Sequence, residues 1–190
     1  MEIKEQKKEI RRKIRNIKGE QTQAEKESAS SIIADKLLNL EGIRNSRTIL
    51  LYHSLPDEVL TNSVIEFLYS PEGGAKRIIL PIVDGEYLTL KEYNPSELET
   101  GYRNIMEPQG EKLIDPAEVE FAVIPGMAFD RHCNRMGRGK GFYDKLLPFL
   151  KCPKAGLGYD FQIVDSIPTD IHDMPLDMVI TQSAIYYRPL

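Results

Sequence analysis

Residues 124–146 read Ile124-Pro-Gly-Met-Ala-Phe-Asp-Arg-His-Cys-Asn-Arg-Met-Gly-Arg-Gly-Lys-Gly-Phe-Tyr-Asp-Lys-Leu146. The apolar run Phe121 to Ile124 just before has the composition of a buried strand, and a short helical pattern follows, ending near Leu150. Between them Gly137, Gly139 and Gly141 alternate with Arg138 and Lys140. Glycines let backbone N–H groups approach a ligand closely, and the two side chains fix positive charge beside them. A strand that ends in such a loop and opens into a helix suits an anion, a polyphosphate above all. An ordinary flexible turn is the competing reading.

Outward from this stretch, helical and strand patterns alternate. Toward the N-terminus, Ile3, Ile10, Ile14 and Ile17 share one helical face, with Lys4, Lys7, Arg11, Arg15 and Lys18 on one flank and Glu2, Glu5 and Glu9 toward the other. Stacked like charges repel, so the cationic flank suits an anionic partner, or else it is a solvated face. Thr22-Gln-Ala-Glu25 is a capping box that starts a second helix, with Ala29, Ile32, Ile33, Ala34, Leu37, Leu38 and Leu40 on its buried side. Thr48 to Tyr52 reads as a strand, followed by a loop with His53, Pro56, Asp57 and Glu58. A helix over 61–69 and a strand from Arg77 to Val83 come next, and Tyr87 to Tyr93 pairs after the Asp84-Gly85 turn. Residues 94–118 read as a long stretch without regular structure, a lid or a connection. A strand around Ala155–Tyr159 and a last one within Met178–Tyr187 complete the chain. Alternating strands and helices predict an α/β fold with a largely parallel sheet covered on both faces. Ligands in such folds gather beyond the carboxyl ends of the strands. Two loops there carry polar chemistry, 53–58 and 125–141.

Bulk properties narrow the class. The 190 residues suit one domain, 1–190, and the 41% hydrophobic and 28% charged content suits a soluble protein. A net charge of -4 argues against a general nucleic-acid binder. No stretch has the roughly 20 apolar residues of a membrane span, and the N-terminus lacks the apolar core of a secretory signal. Cys133 and Cys152 form no disulfide framework or metal-ligand spacing, which fits free thiols in a reducing, cytoplasmic setting.

The glycine loop is neither a Walker A motif nor a dinucleotide fingerprint, because its spacing is wrong for both and no Ser or Thr follows the lysine. Asp144 either compensates a helix dipole or holds magnesium against phosphates. Asp57 and Glu58 are either acids leading into the 61–69 helix or acceptors for amide-like donors on a heterocycle. His132-Cys133 is a weak metal pair, better read as an exposed loop. His172-Asp173 either orients an imidazole or is structural. Nothing marks a covalent nucleophile.

Together these residues resemble the 5-formyltetrahydrofolate cyclo-ligases (methenyltetrahydrofolate synthetases) of one-carbon metabolism. The resemblance is carried by Pro125-Gly-Met-Ala-Phe-Asp130 and Asn134-Arg-Met-Gly-Arg-Gly-Lys-Gly-Phe-Tyr-Asp144. It continues in Lys7-Lys8-Glu9-Ile10-Arg11, Tyr52 through Glu58, Asn104-Ile-Met-Glu-Pro108 and His172-Asp173, in the family's order. It implies a three-layer α/β/α, Rossmann-like fold with a mixed, largely parallel sheet. It also implies an ATP- and Mg2+-dependent ligase that closes 5-formyltetrahydrofolate to 5,10-methenyltetrahydrofolate, acting as a monomer. By position, Lys7, Lys8, Arg11, Arg135, Met136, Gly137, Arg138, Gly139, Lys140, Gly141, Phe142 and Tyr143 would bind ATP. Arg11, His53, Glu58 and the run Arg138 to Phe142 would border the folate. Lys140 and Arg138 would be catalytic, and Asp144 and Asp173 would hold the metal. Cys133 departs from a usual glycine, a strain if that position needs positive φ, and Met136 replaces a usual leucine. A sugar-phosphate binder and an interaction protein docking through the basic first helix are the rival readings.

Overall fold

A computed structural model of the protein describes residues 2–101, 106–110, 112–171 and 173–189. Thus His172, Asn104 and Ile105, named above for their resemblance, lie outside the described residues. The chain opens with α1 (Ile3–Glu20), α2 (Gln23–Leu38) and α3 (Glu41–Asn45). The predicted capping box is present at the start of α2: Thr22 Oγ1 accepts from Glu25 N, and Thr22 N donates to Glu25 Oε2 at 2.8 Å.

Five strands form the parallel centre of a sheet: β1 (Thr48–Leu50), β2 (Arg77–Asp84), β6 (Phe121–Pro125), β9 (Lys154–Leu157) and β11 (Met178–Ile180). Antiparallel strands β3 (Tyr87–Glu92) and β12 (Ile185–Tyr187) close its two edges, giving the order β12-β11-β9-β6-β1-β2-β3. The expected last strand is therefore a hairpin of two.

Side chains alternate between the faces along each central strand, as a period of two requires. Ile49, Leu51, Ile78, Leu80, Phe121 and Val123 join one core with Ile33, Leu37, Ile43, Val64, Ile65 and Leu68. Those partners come from α2, α3 and α4 (Asn62–Tyr69). Leu50, Ile79, Ala122 and Ile124 face the other way, onto Leu146, Leu147, Leu150 and Phe129. That second layer is thin: α5 (Phe142–Leu146) has five residues and runs into a 3-10 turn. A small sheet of β7 (Ala128–Asp130), β8 (Arg135–Met136) and β10 (Ile163–Val164) completes it. The fold is three-layered α/β, as expected.

Two expectations about loops need correcting. Residues 94–118 are not structureless: β4 (Leu98–Thr100) pairs with β5 (Met106–Pro108), and 3-10 turns occupy Pro95–Glu97 and Pro116–Glu118. Nor is 125–141 one loop, because β7 and β8 form a hairpin inside it. The physical reason is the same in both cases. Pairing partners of two or three residues are too short to show a period, and tertiary contacts decide them.

The small sheet sets where the N-terminal cations go. Ile14 of α1 is 2% exposed and forms a separate core with Met127, Ala128, Met136 and Ile167. This core docks α1 against the β7–β8 hairpin rather than on the main sheet. The stripe turned inward is Lys7, Arg11, Ile14 and Lys18, so the cations expected on a flank lie partly on the buried side.

Candidate active site

The parallel strands run β11-β9-β6-β1-β2, so chain direction across the sheet reverses between β1 and β6. A crevice opens beyond the carboxyl ends of strands at such a switch point. The loop after β1 brings His53 to Glu58 there, and the segment after β6 brings the glycine loop.

Gly137, Gly141 and Asp144 line two cavities at once, so the glycine loop is their shared wall. The first cavity encloses ≈ 970 Å³, open mouth included. It is mainly apolar, lined by Tyr52, Leu80, Val83, Leu88, Met106 and Phe142, with Glu58, Arg138 and Lys140 as polar groups. The second encloses ≈ 1240 Å³ and is the more polar of the two, with Lys7, Arg11, Asp144, Asp170 and Asp173 set among Met136, Pro148, Ile171 and Met174. Each is large enough for a ligand of several hundred daltons.

Gly139 and Gly141 have φ of +103° and +72°, a region that side chains disfavour. Arg11 Nε donates to Gly137 O at 2.9 Å and ties α1 to the loop. Lys7 bonds Asp173 and lies 3.6 Å from Asp170. Among the described residues Lys140 pairs with no carboxylate; it is exposed at the apolar cavity. Lys8 is exposed and lines neither cavity.

Arg135 is placed differently from a free ligand-binding cation. Its side chain is 4% exposed, with Nε on Pro125 O at 2.9 Å and Nη1 on Asp144 Oδ1 at 2.8 Å. Its guanidinium also lies 5.3 Å from the centre of the Tyr143 ring. Asp144 therefore has a partner in addition to its place in the first turn of α5. Met136 is buried in the α1 core and touches the polar cavity. Tyr143 sits against Arg135, its hydroxyl pushed well up by burial and then by the charge of Glu58.

Asp57 and Glu58 precede the start of α4 by several residues and do not cap it. They grip Arg138 instead: Nη2 lies 2.5 Å from Asp57 Oδ1 and 3.1 Å from Glu58 Oε1. Glu58 Oε2 accepts from Leu55 N at 3.0 Å, which turns the other oxygen toward Arg138. Burial would push the Asp57 carboxyl up, but Arg138 and Lys18 outweigh it and hold it below its ordinary value. His53 Nδ1 donates to Met106 O at 2.6 Å, because a carbonyl can only accept. That bond ties β5 to the mouth of the apolar cavity.

Sequence reasoning passed over Tyr52, Asp170 and the joint role of Lys18 with Asp57. Lys18 had a usable signal, since positions 7, 11 and 18 fall on one helical face. Cys133 has φ +64°, so the position where a glycine is usual does require the left-handed region. It is fully buried, its Sγ 3.4 Å from Tyr186 O, and burial with Asp130 and Asp177 raises the thiol to about 11. His132 is exposed, and no cluster of three or more metal-ligating side chains occurs among the described residues.

The switch-point crevice and glycine loop define an α/β protein with a divided site, one side mainly apolar and the other carrying Lys7 and Arg11. The sequence matches the 5-formyltetrahydrofolate cyclo-ligase family over residues 3–182, and the chain belongs to that family. It is 30% identical over 177 residues to the 5-formyltetrahydrofolate cyclo-ligase of Haemophilus influenzae, covering 88% of this chain and 93% of the relative. The Escherichia coli K12 enzyme of the same name is 28% identical, with 93% and 98% covered. The solution structure of Aquifex aeolicus 5,10-methenyltetrahydrofolate synthetase superposes with a TM-score of 0.85 at 31% identity, covering 97% of this chain and 95% of that one. The 5,10-methenyltetrahydrofolate synthetase of Mycoplasma pneumoniae superposes at 0.74 with 26% identity, with 93% and 98% covered. The resemblance drawn from the sequence therefore holds.

Proposed function

We propose that the protein cyclises 5-formyltetrahydrofolate to 5,10-methenyltetrahydrofolate at the expense of ATP, with magnesium, releasing ADP and phosphate. The observation that carries this reading is the divided site: an apolar cavity suited to a pterin and its aromatic extension, and a cation-lined one suited to a triphosphate, meeting at one glycine wall. A sugar phosphate would leave the apolar half without a purpose.

A formamide oxygen is a poor leaving group, so attack of N10 on the N5-formyl carbon would stall. In our scheme the formyl oxygen attacks the γ-phosphorus of ATP, the bond to the β–γ bridging oxygen breaks, and ADP departs. N10 then closes on the activated carbon and gives up its proton to solvent, and the former formyl oxygen leaves within inorganic phosphate. The protein aligns the reactants and neutralises charge. Lys7 and Arg11 hold the phosphates, with Lys140 and Arg138 at the wall where the γ-phosphate meets the formyl oxygen. His53, Glu58 and Phe142 border the folate.

Asp144 and Asp173 line the same polar cavity as Lys7 and Arg11, and carboxylates are the donors magnesium takes alongside substrate phosphates. The residues fit the ion: these two would hold it, and it would supply charge neutralisation at the phosphate oxygens. Each keeps a cation partner meanwhile, Arg135 and Lys7. We further read residues 1–190 as one monomeric domain that takes small molecules and not nucleic acid. No described helix is long and apolar enough to cross a membrane, and a cytoplasmic setting goes with the two free thiols. Mixing the protein with 5-formyltetrahydrofolate, ATP and magnesium tests the reading. Near-ultraviolet absorbance of methenyltetrahydrofolate that needs all three supports it, and none at any enzyme concentration rejects it.

A further inference from the structure

Arg138 carries five N–H donors. Those on Nε and Nη2 go to acids: Nε lies 3.2 Å from Glu58 Oε1, while Nη2 is shared between Glu58 and Asp57. Among the described residues nothing accepts from Nη1, and the side chain lines the apolar cavity. A half-exposed Arg–Asp pair alone would hold the guanidinium only weakly, because solvent screens it and both side chains lose rotamer freedom.

This pair is not alone. Lys18, in the last turn of α1, donates from Nζ to Asp57 O at 2.6 Å and to Asp57 Oδ2 at 3.2 Å. Its side chain is 4% exposed, against 36% for Asp57 and 31% for Arg138. Burying an ammonium is costly, and Lys18 meets that cost by making two contacts to one residue. Gripping both backbone and carboxylate stops Asp57 from rotating, so Oδ1 is presented to Arg138 in one direction. Ile14, one turn earlier, seats α1 in the core beneath the glycine loop, so the anchor is rigid.

We propose that Lys18 and Asp57 are positioning residues: Lys18 fixes Asp57, Asp57 fixes the Nη2 edge of Arg138, and the Nη1 donors are thereby presented to a substrate oxygen in the apolar cavity. The inference rests on Arg138 meeting the reacting oxygen, as in the proposed reaction. It adds two residues that do not touch substrate and assigns the C-terminal turn of α1 a part in catalysis.

A double-mutant cycle tests it. Asp57→Asn keeps the volume but weakens the grip, and should lower kcat by on the order of 100-fold with the nucleotide KM unchanged. The same change in an Arg138→Ala background should cost nothing further. Lys18→Met should repeat the loss, and Lys18→Arg should restore most of it. Should Lys18→Met fail to fold, Asp57→Asn carries the test by itself. Wild-type kinetics for Asp57→Asn overturn the proposal, as do equal losses in both backgrounds, which a merely structural tie between α1 and the loop would give. If the wild-type protein shows no cyclisation, the proposed reaction fails instead. The relay is then judged by side-chain NMR: slow guanidinium rotation at Arg138 that persists in Asp57→Asn refutes it, and averaging in that variant supports it.

Discussion

Replacing Arg135 with methionine tests how the glycine wall is held. The guanidinium joins the end of β6, through Pro125 O, to the first turn of α5, through Asp144, and so closes the segment between them. Methionine fills similar volume but makes neither bond. A hydrogen bond from a charged donor contributes about 1.5–3 kcal/mol, so two would contribute about 3–6. Two terms reduce the sum. The side chain is 4% exposed, so its removal recovers a desolvation cost, and Asp144 is 30% exposed, so water can rehydrate the orphaned carboxylate. A net loss of about 2–4 kcal/mol remains. At about 2–4 °C per kcal/mol for a chain of this size, Tm should fall by roughly 4–16 °C. Arg135→Lys should recover only part, because one ammonium cannot span both acceptors in the guanidinium's geometry. Calorimetry on the three proteins measures this. A Tm for Arg135→Met within 1 °C of wild type would refute the view that this arginine staples the strand end to the helix.

Gly139→Ala places a Cβ whose nearest neighbour is the Arg11 guanidinium at 3.7 Å, so the cost is backbone strain at φ +103°. We expect a loss of about 1–3 kcal/mol and a higher nucleotide KM, checked by thermal denaturation and kinetics. Asp144→Asn should raise the magnesium concentration needed for half-maximal turnover while also lowering Tm, since Arg135 loses its charged partner; an unchanged metal titration leaves Asp144 with the structural role alone. Cys133 should resist maleimide at pH 7.5 in the native protein and react on unfolding, because a thiol raised to about 11 is scarcely ionised there. Since the folded value exceeds the ordinary 9.0, the unfolded chain loses its proton first. Stability from this group is complete below pH 9 and declines through pH 11, a decline that Cys133→Ala should lack in denaturant titrations.

The sheet was readable because its strands are short continuous apolar runs between turn residues, as at Thr48 to Tyr52 and Phe121 to Ile124. The start of α2 was readable because a capping box is a local event between Thr22 and Glu25. The glycine loop declared itself by composition. What could not be read depends on distant partners. The β7–β8 hairpin and β10 have too few residues to show a period, and only their pairing draws α1 onto the site instead of onto the main sheet. Arg135 looked like its neighbours Arg138 and Lys140 in sequence, yet the fold buries it against Pro125 and Asp144. Asp57 and Glu58 looked like helix acids because α4 follows closely, whereas Arg138, their shared partner, sits 81 and 80 positions further along the chain. Cys133 was the converse case, where a departure from a usual glycine correctly pointed to a left-handed backbone.

The central claim is that one glycine wall, 137–141 with Asp144, separates a triphosphate from a folate and lets them meet. A crystal structure with a non-hydrolysable ATP analogue, magnesium and 5-formyltetrahydrofolate tests it most directly. The account predicts phosphates between Lys7, Arg11 and Asp144, the pterin beside Glu58 and Tyr52, and the formyl oxygen facing the γ-phosphorus near Lys140. Phosphates seated in the apolar cavity, or both ligands on one side of the wall, would contradict it.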